Sequence, residues 1–460
     1  MLDSYSIAVY LVGEVEEALE SCDRGLKIAE EHDLLFEACY NYFHKASAYN
    51  YTYGPSAKSR EIYLEGLNFT ASKRDFMVNL FNKVEVAYGV YLPLGDWKRA
   101  RELAEDSIAS THRFPKTSLF NLIAESTMGH VLLHEGNFAK AREHFEYVRD
   151  VTKGFGVLQL DVPLYIALAR LNIGTKNFEE AQRNLEIGYR LSKRRGLTVI
   201  NGIPHMQLLD LMIEFSLMRE SGRTSEDEQI LQDTLEDMIK SSNEINQPWT
   251  LAYLRRVEAL IAQHRNELEK AETLFQESIR TFEKLGWPYE RAKTEYHLGI
   301  AYVRRGKLLM ALDSFDSASE LFSRLGARSD LEKITLLMKE IEDKRIPLLE
   351  RRPKFESSDT RIVFETLITE FWQDFLIKKL EIEKCGWRNM SELQKLAKLS
   401  KHLLYGRNRG MAGPVLRELL SSGVVESRMF EGERGRGGEI MKLRVSFRKN
   451  ENNKLENSDT

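Results

Sequence analysis

Cysteine is scarce in this chain and is not arranged for disulfide or metal chemistry. Only three cysteines occur among 460 residues, Cys22, Cys39 and Cys385, and no two of them form a CxxC pair. Disulfide frameworks and structural zinc sites both need more numerous or more closely spaced cysteines. The sequence therefore predicts neither, and it favours the reducing environment of the cytoplasm.

Long hydrophobic runs are also missing. No segment approaches the ~20 consecutive apolar residues that a membrane-spanning helix needs, so we expect no membrane contact. The N-terminal segment MLDSYSIAVYLVGEVEEAL contains acidic residues and lacks the basic stretch of a secretory signal. A cytoplasmic location is the resulting expectation.

The sequence motifs of common catalytic sites are absent. There is no GxxxxGK phosphate loop, no HExxH zinc motif, no GxSxG nucleophile motif and no kinase signature. A glycine-rich run from Gly432 to Gly438 resembles a phosphate loop only superficially, because strand-like residues flank it and no helix follows. We therefore expect neither enzyme activity nor a cofactor.

A repeated turn-and-alanine pattern is the main positive feature. A Gly or Asn turn precedes an alanine in an apolar helix, and successive alanines at 100, 141 and 181, and at 271 and 311, are 41, 40 and 40 residues apart. Such a period is typical of stacked helical hairpins, each of which buries its apolar face against its neighbours. We count eight hairpins, and their markers are Ala18, Ser59, Ala100, Ala141, Ala181, Asp227, Ala271 and Ala311.

Two markers depart from this pattern. Ser59 and Asp227 follow their turns at the usual offset, but neither of them is alanine. The intervals on the two sides of Asp227 stretch to 46 and 44 residues. A longer loop or helix is therefore predicted near Asp227.

The clearest repeat surrounds Ala311. Gly299 and Ala311 are small, as required where the two helices of one hairpin cross, and larger residues fill the gaps around that crossing. The spacing of this repeat resembles that of a tetratricopeptide (TPR) repeat at Leu298, Gly299, Tyr302, Ala311, Phe315 and Ala318. Because the period exceeds the roughly 34 residues of a standard TPR, the array over residues 1–345 resembles the long-repeat TPR-like arrays of bacterial and archaeal STAND regulators.

The TPR resemblance implies an α-solenoid that binds a protein or another ligand on the concave face formed by its first helices. The positions that it assigns to this groove are His44, Tyr51, His130, His134, Tyr296 and Arg304. His130 and His134 are one helical turn apart and would suit zinc if a third ligand approached, but no carboxylate or cysteine completes the set. No metal site is therefore expected.

The C-terminal part differs from the repeats in charge and in periodicity. Between Cys385 and Arg448 there are 13 Lys/Arg against 6 Asp/Glu, a charge of +7, so the remaining chain carries about −11. A polar, proline-containing linker is predicted at residues 346–360. Helical periodicity resumes at Phe364, and from Val424 onwards apolar residues alternate on both sides of the segment EGERGRGG.

Helices followed by a hairpin with a basic tip resemble a winged helix-turn-helix domain, here over residues 361–448, and the segment looks particularly like archaeal members of that group. The complete fold prediction is mostly α: an α-solenoid of TPR-like hairpins plus a C-terminal winged-helix (α+β) domain and a disordered tail at 449–460. The resemblance implies DNA contacts from Lys395, Lys398, Lys401, His402, Tyr405, Arg407, Arg409, Arg417, Arg434 and Arg436.

These expectations combine into a cytoplasmic regulator of transcription whose repeats bind a protein or peptide and whose C-terminal domain binds double-stranded DNA. Two alternatives stay open. The winged helix would dock a protein in a scaffold that binds no DNA, since a fold alone does not fix function. The chain would otherwise be the separated C-terminal part of a signalling ATPase or cyclase, because similar arrays often follow such domains. A homodimer is also left open.

Overall fold

The chain forms two compact units, one made of residues 1–298 and 316–333, the other of residues 299–315 and 334–460. The computed structural model describes residues 14–73, 75–111, 115, 117–153, 158–194, 199–218, 225–305, 307–343, 363, 388–389, 414–421, 425–431 and 441–447.

Helices make up almost all of the described chain up to residue 343. In chain order they are α1 (Val15–Glu31), α2 (Leu35–Tyr53), α3 (Ala57–Lys73), α4 (Phe76–Val86), a π-helical turn (Ala87–Tyr91), α5 (Trp97–Thr111), α6 (Leu119–His134), α7 (Phe138–Thr152), α8 (Leu158–Gly174), α9 (Phe178–Arg194), α10 (Val199–Met218), α11 (Ser225–Ile245), α12 (Pro248–His264), α13 (Leu268–Leu285), α14 (Pro288–Arg305), α15 (Leu308–Leu325) and α16 (Arg328–Asp343).

The repeat pattern of the sequence matches this order of helices. Each of the eight markers lies in the first turn of an odd-numbered helix, from α1 to α15. The six alanine markers are completely buried, as their role between closely packed helices requires. The longest described helix is α11, with 21 residues, so the irregular interval near Asp227 contains the longer helix that was predicted there. The helical-repeat architecture is therefore confirmed for the described hairpins.

The turn between α6 and α7 shows why glycine recurs within the repeat. Gly136 ends α6 with φ +78°, a left-handed conformation that side chains disfavour and glycine adopts readily. The N–H of Asn137 then donates to the carbonyl of Leu132 at 2.9 Å. The side-chain oxygen of Asn137 caps α7 by accepting from the N–H of Lys140. The turn markers Gly13 and Gly306 lie outside the described residues.

The first helices of successive hairpins pack side by side. Contacts join α2 to α4, α4 to α6, α6 to α8, α8 to α10 and α10 to α12, and α2 also packs against α10. Two buried tryptophans form hydrogen bonds with residues far from them in the sequence. Nε1 of Trp249 donates to the carbonyl of Thr52 at 3.0 Å, and Nε1 of Trp287 donates to the carbonyl of Pro55 at 2.7 Å. Sequence periodicity does not predict these contacts, because it reports only neighbouring repeats.

In the second unit, the described C-terminal residues form a small antiparallel sheet. Its strands β1 (Arg388–Asn389), β2 (Val425–Glu431) and β3 (Met441–Phe447) are arranged in the order β1-β3-β2, and α17 (Pro414–Ser421) precedes β2. The pairing of β2 with β3 runs from Val425 opposite Phe447 to Glu431 opposite Met441. The two strands predicted from alternation are therefore present as a hairpin. The linker at 346–360, the helical segment beginning at Phe364 and the tail at 449–460 lie outside the described residues.

Two helical glycines give a matched test of the hairpin crossing. A Cβ at Gly129 would lie 2.6 Å from the buried ring of Phe145, whereas one at Gly202 would have its nearest neighbour at 3.4 Å. Gly129→Ala should destabilise the fold by about 1–3 kcal/mol because the ring has to move. Gly202→Ala should be neutral or stabilising by up to ~1 kcal/mol because alanine favours helix. Urea midpoints followed by circular dichroism compare the two variants, and equal midpoints would contradict the assigned crossing.

Candidate binding surface on the first helices

Charged and aromatic side chains converge on the first helices of the hairpins within the first unit. They lie on α6, α8, α10, α12 and the N-terminal part of α14. We call this surface the first-helix face and define it by His130, His134, Arg170, Asp210, Glu214, Arg256, Tyr289, Glu290, Lys293 and Tyr296.

Arg256 is the most deeply buried charge of the first-helix face, with a completely enclosed side chain. Its Nε and Nη2 donate to the two carboxylate oxygens of Asp210 at 2.9 and 2.8 Å, and its Nη1 donates to Oε2 of Glu290 at 2.7 Å. Asp210 and Glu290 are 1% and 9% exposed, so solvent screens these ion pairs very little. The network thereby connects α10, α12 and α14.

Aromatic rings complete the surroundings of this guanidinium. Cζ of Arg256 lies 4.9 Å from the ring centroid of Tyr253 and 5.2 Å from that of Phe282, within cation–π range. Burial lowers the pKa of Arg256, but Asp210 and Glu290 outweigh burial and raise it. Burial likewise raises the pKa of Asp210, while Arg256 and Lys293 hold it below its usual value. Arg256 and Asp210 therefore both stay ionised.

Lys293 extends the network towards the more accessible part of the face. Its Nζ lies 3.0 Å from Oδ2 of Asp210 and 2.6 Å from Oε2 of Glu214. Nε2 of His297 lies 3.5 Å from the other oxygen of Glu214. Burial raises the pKa of Glu214, but Lys293 and His297 hold it well below the usual value. Glu214 is therefore an anion whose contacts are already filled by two neighbours.

An aromatic cluster lies beside these charges. The rings of Trp97 and His134 are stacked with centroids 4.0 Å apart, and the ring of Tyr289 meets His134 edge-on at 4.7 Å. The hydroxyl of Tyr289 donates to Oδ2 of Asp330 at 3.0 Å. Burial and Asp330 raise the pKa of Tyr289 well above its usual value. The cluster joins α5, α6, α14 and α16 by residues that belong to the first unit.

Both predicted histidines of α6 lie in this environment and are partly exposed. Burial among protein atoms, followed by the charge of Arg170, lowers the pKa of His130 to about 3. The same two causes, followed by His130 and Lys333, lower the pKa of His134 well below its usual value. The two imidazoles are therefore neutral at physiological pH. Within the described residues, no three or more His, Cys, Asp or Glu side chains are placed to hold a metal ion.

Arg170 differs from Arg256 in its contacts. It is partly exposed on α8, and within the described chain its guanidinium has neither a hydrogen-bond acceptor nor an ion-pair partner in contact. Burial lowers its pKa, but longer-range attraction outweighs burial and raises it. The groups responsible for that attraction are Tyr289, Glu290, Tyr253 and Glu214.

The other predicted groove residues lie in different surroundings. His44 is only 5% exposed and packs against the rings of Tyr40 and Phe43. Tyr51 belongs to α2. Tyr296 is partly exposed, and burial raises its pKa. Arg304 is exposed and belongs to the second unit. The structure thus brings His130, His134 and Tyr296 onto the first-helix face but does not place His44 at an accessible surface.

Most predicted DNA-contacting residues lie outside the described part of the chain. These are Lys395, Lys398, Lys401, His402, Tyr405, Arg407, Arg409, Arg434 and Arg436. Arg417 is described, and its side chain is exposed on α17.

Sequence reasoning missed the ionic core of the first-helix face. Asp210 and Arg256 interrupt the apolar segments IPHMQLLDLMIEF and WTLAYLRRVEALIA, and a charge within an apolar first helix is the signal that could have identified them. Arg170 and Asp210 are also one 40-residue period apart. Which charge pairs with which, however, depends on helix rotation and is not fixed by spacing.

A cavity of about 520 Å³ lies between α9, α10 and α11, where the repeat interval is irregular. Its apolar lining comes from Leu185, Tyr189, Met212, Phe215 and Ile230, and polar side chains such as Gln182 and Thr234 complete it. Small-molecule sites in proteins are typically about 300–1,000 Å³, so this cavity is a second place with the dimensions of a ligand site.

Comparison with known proteins gives distant structural likeness without assigning a family. No family model and no curated protein sequence matches the chain. A crystal structure of a Rap protein complexed with competence and sporulation factor is similar at 11% identity, over 80% of this chain and 88% of that one, with a TM-score of 0.47. A STAND signal-transduction ATPase with a tetratricopeptide repeat sensor from Pyrococcus horikoshii is similar at 14% identity, over 74% of this chain and 52% of that one, with a TM-score of 0.36. No described helix is long and apolar enough to cross a membrane.

Proposed function

We propose that this chain is a non-enzymatic cytoplasmic regulator whose first-helix face binds a peptide or protein partner and whose C-terminal segment binds double-stranded DNA. The observation that carries the first part is the first-helix face itself, a polar and aromatic surface fixed by buried ion pairs. Its side chains project from packed helices, and binding groups on rigid elements are held more accurately than groups on loops.

The composition of the first-helix face favours recognition of an extended polypeptide. Tyrosine and arginine are enriched at the centres of protein interfaces, and here Tyr296 and Arg170 are partly exposed beside a buried network. The contacting helices come from successive hairpins, so donors and rings recur along the array. A ligand that spans several hairpins would therefore meet a series of contacts.

The DNA part of the proposal is supported by charge and by local structure. The segment from Cys385 to Arg448 carries +7 while the remaining chain carries about −11, so phosphate would be attracted to the former. Strands β2 and β3 pair antiparallel, and in the sequence they are separated by residues 432–440, which include Arg434 and Arg436. Docking of a protein by the same segment is the competing function, as is association with a separate ATPase or cyclase chain.

Peptides selected from a random display library on the wild-type chain test the partner-binding part. Tyr296→Ala should weaken the selected peptides at least about tenfold, as expected when a central aromatic contact of an interface is lost. The matched control is Tyr147→Ala, because Tyr147 is partly exposed on the second helix α7. Affinities from fluorescence anisotropy decide the outcome. Peptides that tolerate Tyr296→Ala but lose affinity in Tyr147→Ala would show that a different face binds them.

Salt-dependent DNA affinity tests the second part. Replacing Arg434 and Arg436 by alanine should flatten the dependence of log K on log salt by roughly 1–2 units, since about two phosphate contacts are lost. Replacing His130 and His134 by glutamine should leave DNA affinity unchanged because these residues lie on the first-helix face. Anisotropy of a labelled duplex across a salt series measures both effects. Absence of salt-sensitive binding in the wild type at low ionic strength would favour the protein-docking alternative.

A further inference from the structure

Arg170 is the one guanidinium of the first-helix face whose donors meet no acceptor within the described chain. Two other arginines of the same unit have filled contacts. Arg256 makes its bidentate pair with Asp210, and the partly exposed Arg142 donates to Oδ1 of Asn172 at 2.9 Å. Of the two arginines on the first-helix face, Arg170 is therefore the one with open donors within the described chain.

The neighbouring carboxylates do not accept hydrogen bonds from Arg170, because each of them is paired with another basic side chain. Glu290 accepts from Arg256, Glu214 pairs with Lys293 and lies near His297, and Asp330 pairs with Lys333 at 3.0 Å. Glu214 and Glu290 attract Arg170 only at longer range. An acceptor that contacts Arg170 must therefore come from outside these pairs.

The charge of Arg170 is held by longer-range attraction, but the N–H groups of its guanidinium have no acceptor within the described chain. A guanidinium with open donors can bind an external acceptor directly, because its hydrogen bonds are not already used within the protein. Arg170, His130 and His134 are all partly exposed, so a ligand can reach these donors.

We propose that Arg170 receives a carboxylate group of the peptide that binds the first-helix face. The planar fork of a guanidinium matches the two oxygens of a carboxylate and can bind both at once. His130 and His134 would lie beside the bound group. The carboxylate comes from an acidic side chain or from the C-terminus of the peptide. This inference rests on the proposed peptide-binding function and specifies its ligand.

Small molecules that carry either a side-chain carboxylate or a terminal carboxylate test this inference, with the Tm of the protein as the measurement. The probes are N-acetylaspartic acid amide, which has only a side-chain carboxylate, N-acetylalanine, which has only a terminal one, and the neutral N-acetylalaninamide, all at equal ionic strength. At concentrations several times the Kd, the preferred carboxylate should raise the Tm of the wild type by about 2 °C. The neutral amide should have no effect.

Variants at Arg170 and Arg142 identify the residue responsible. Arg170→Gln should abolish the shift, because the guanidinium that binds the carboxylate is removed. Arg170→Lys should fold and retain only a small part of the shift, since the charge remains but the fork is lost. The matched control Arg142→Gln should respond to the probes as the wild type does.

Three results would overturn the inference: equal shifts in the wild type and both Arg170 variants, an equal shift with the neutral amide, or no shift with either carboxylate. In each of these cases, selected peptides that still depend on Tyr296 would leave the proposed peptide-binding function standing. Loss of both responses would instead remove the function together with its ligand.

Discussion

The contact between Arg256 and two carboxylates determines the organisation of the first-helix face. One completely enclosed guanidinium binds Asp210 of α10 and Glu290 of α14 from its position on α12. Charges removed from water in this way are stable only when all of them are present in a close geometry. Three consecutive hairpins are thereby held in one relative arrangement, which apolar packing alone would specify less strictly.

This buried network also explains the chemistry of its accessible edge. Because Asp210, Glu214 and Glu290 are engaged by Arg256 and Lys293, they are held away from direct contact with Arg170. The surface thus combines fixed ion pairs with donors that are open to an external group. The contacts of Trp249 and Trp287 with Thr52 and Pro55 add a second constraint, because they hold hairpins distant in sequence against each other.

Much of the helical array could be predicted from the sequence, whereas the site could be predicted only in part. Alanine markers such as Ala141 must be small wherever two helices cross, so a steric requirement appears directly as a period of about forty residues. His130, His134 and Tyr296 follow from the same register. The pairing of Arg256 with Asp210, 46 positions earlier, depends on helix rotation, and the contact of Trp287 with Pro55 depends on curvature accumulated over several repeats. Neither the helix rotation nor the curvature can be predicted from a local sequence pattern.

The urea midpoint of Arg256→Met, compared with Arg255→Met, tests the central role of the network most directly. Arg256→Met should destabilise the first unit by about 3–5 kcal/mol because it leaves Asp210 and Glu290 buried without their main partner. Arg255 is 41% exposed and pairs with Glu258, so its replacement should cost less than about 1 kcal/mol. The triple variant Asp210→Asn, Arg256→Met, Glu290→Gln should recover much of the loss, since it leaves Lys293 paired with Glu214. Equal midpoints for the two single variants, or a triple variant less stable than Arg256→Met, would contradict this account.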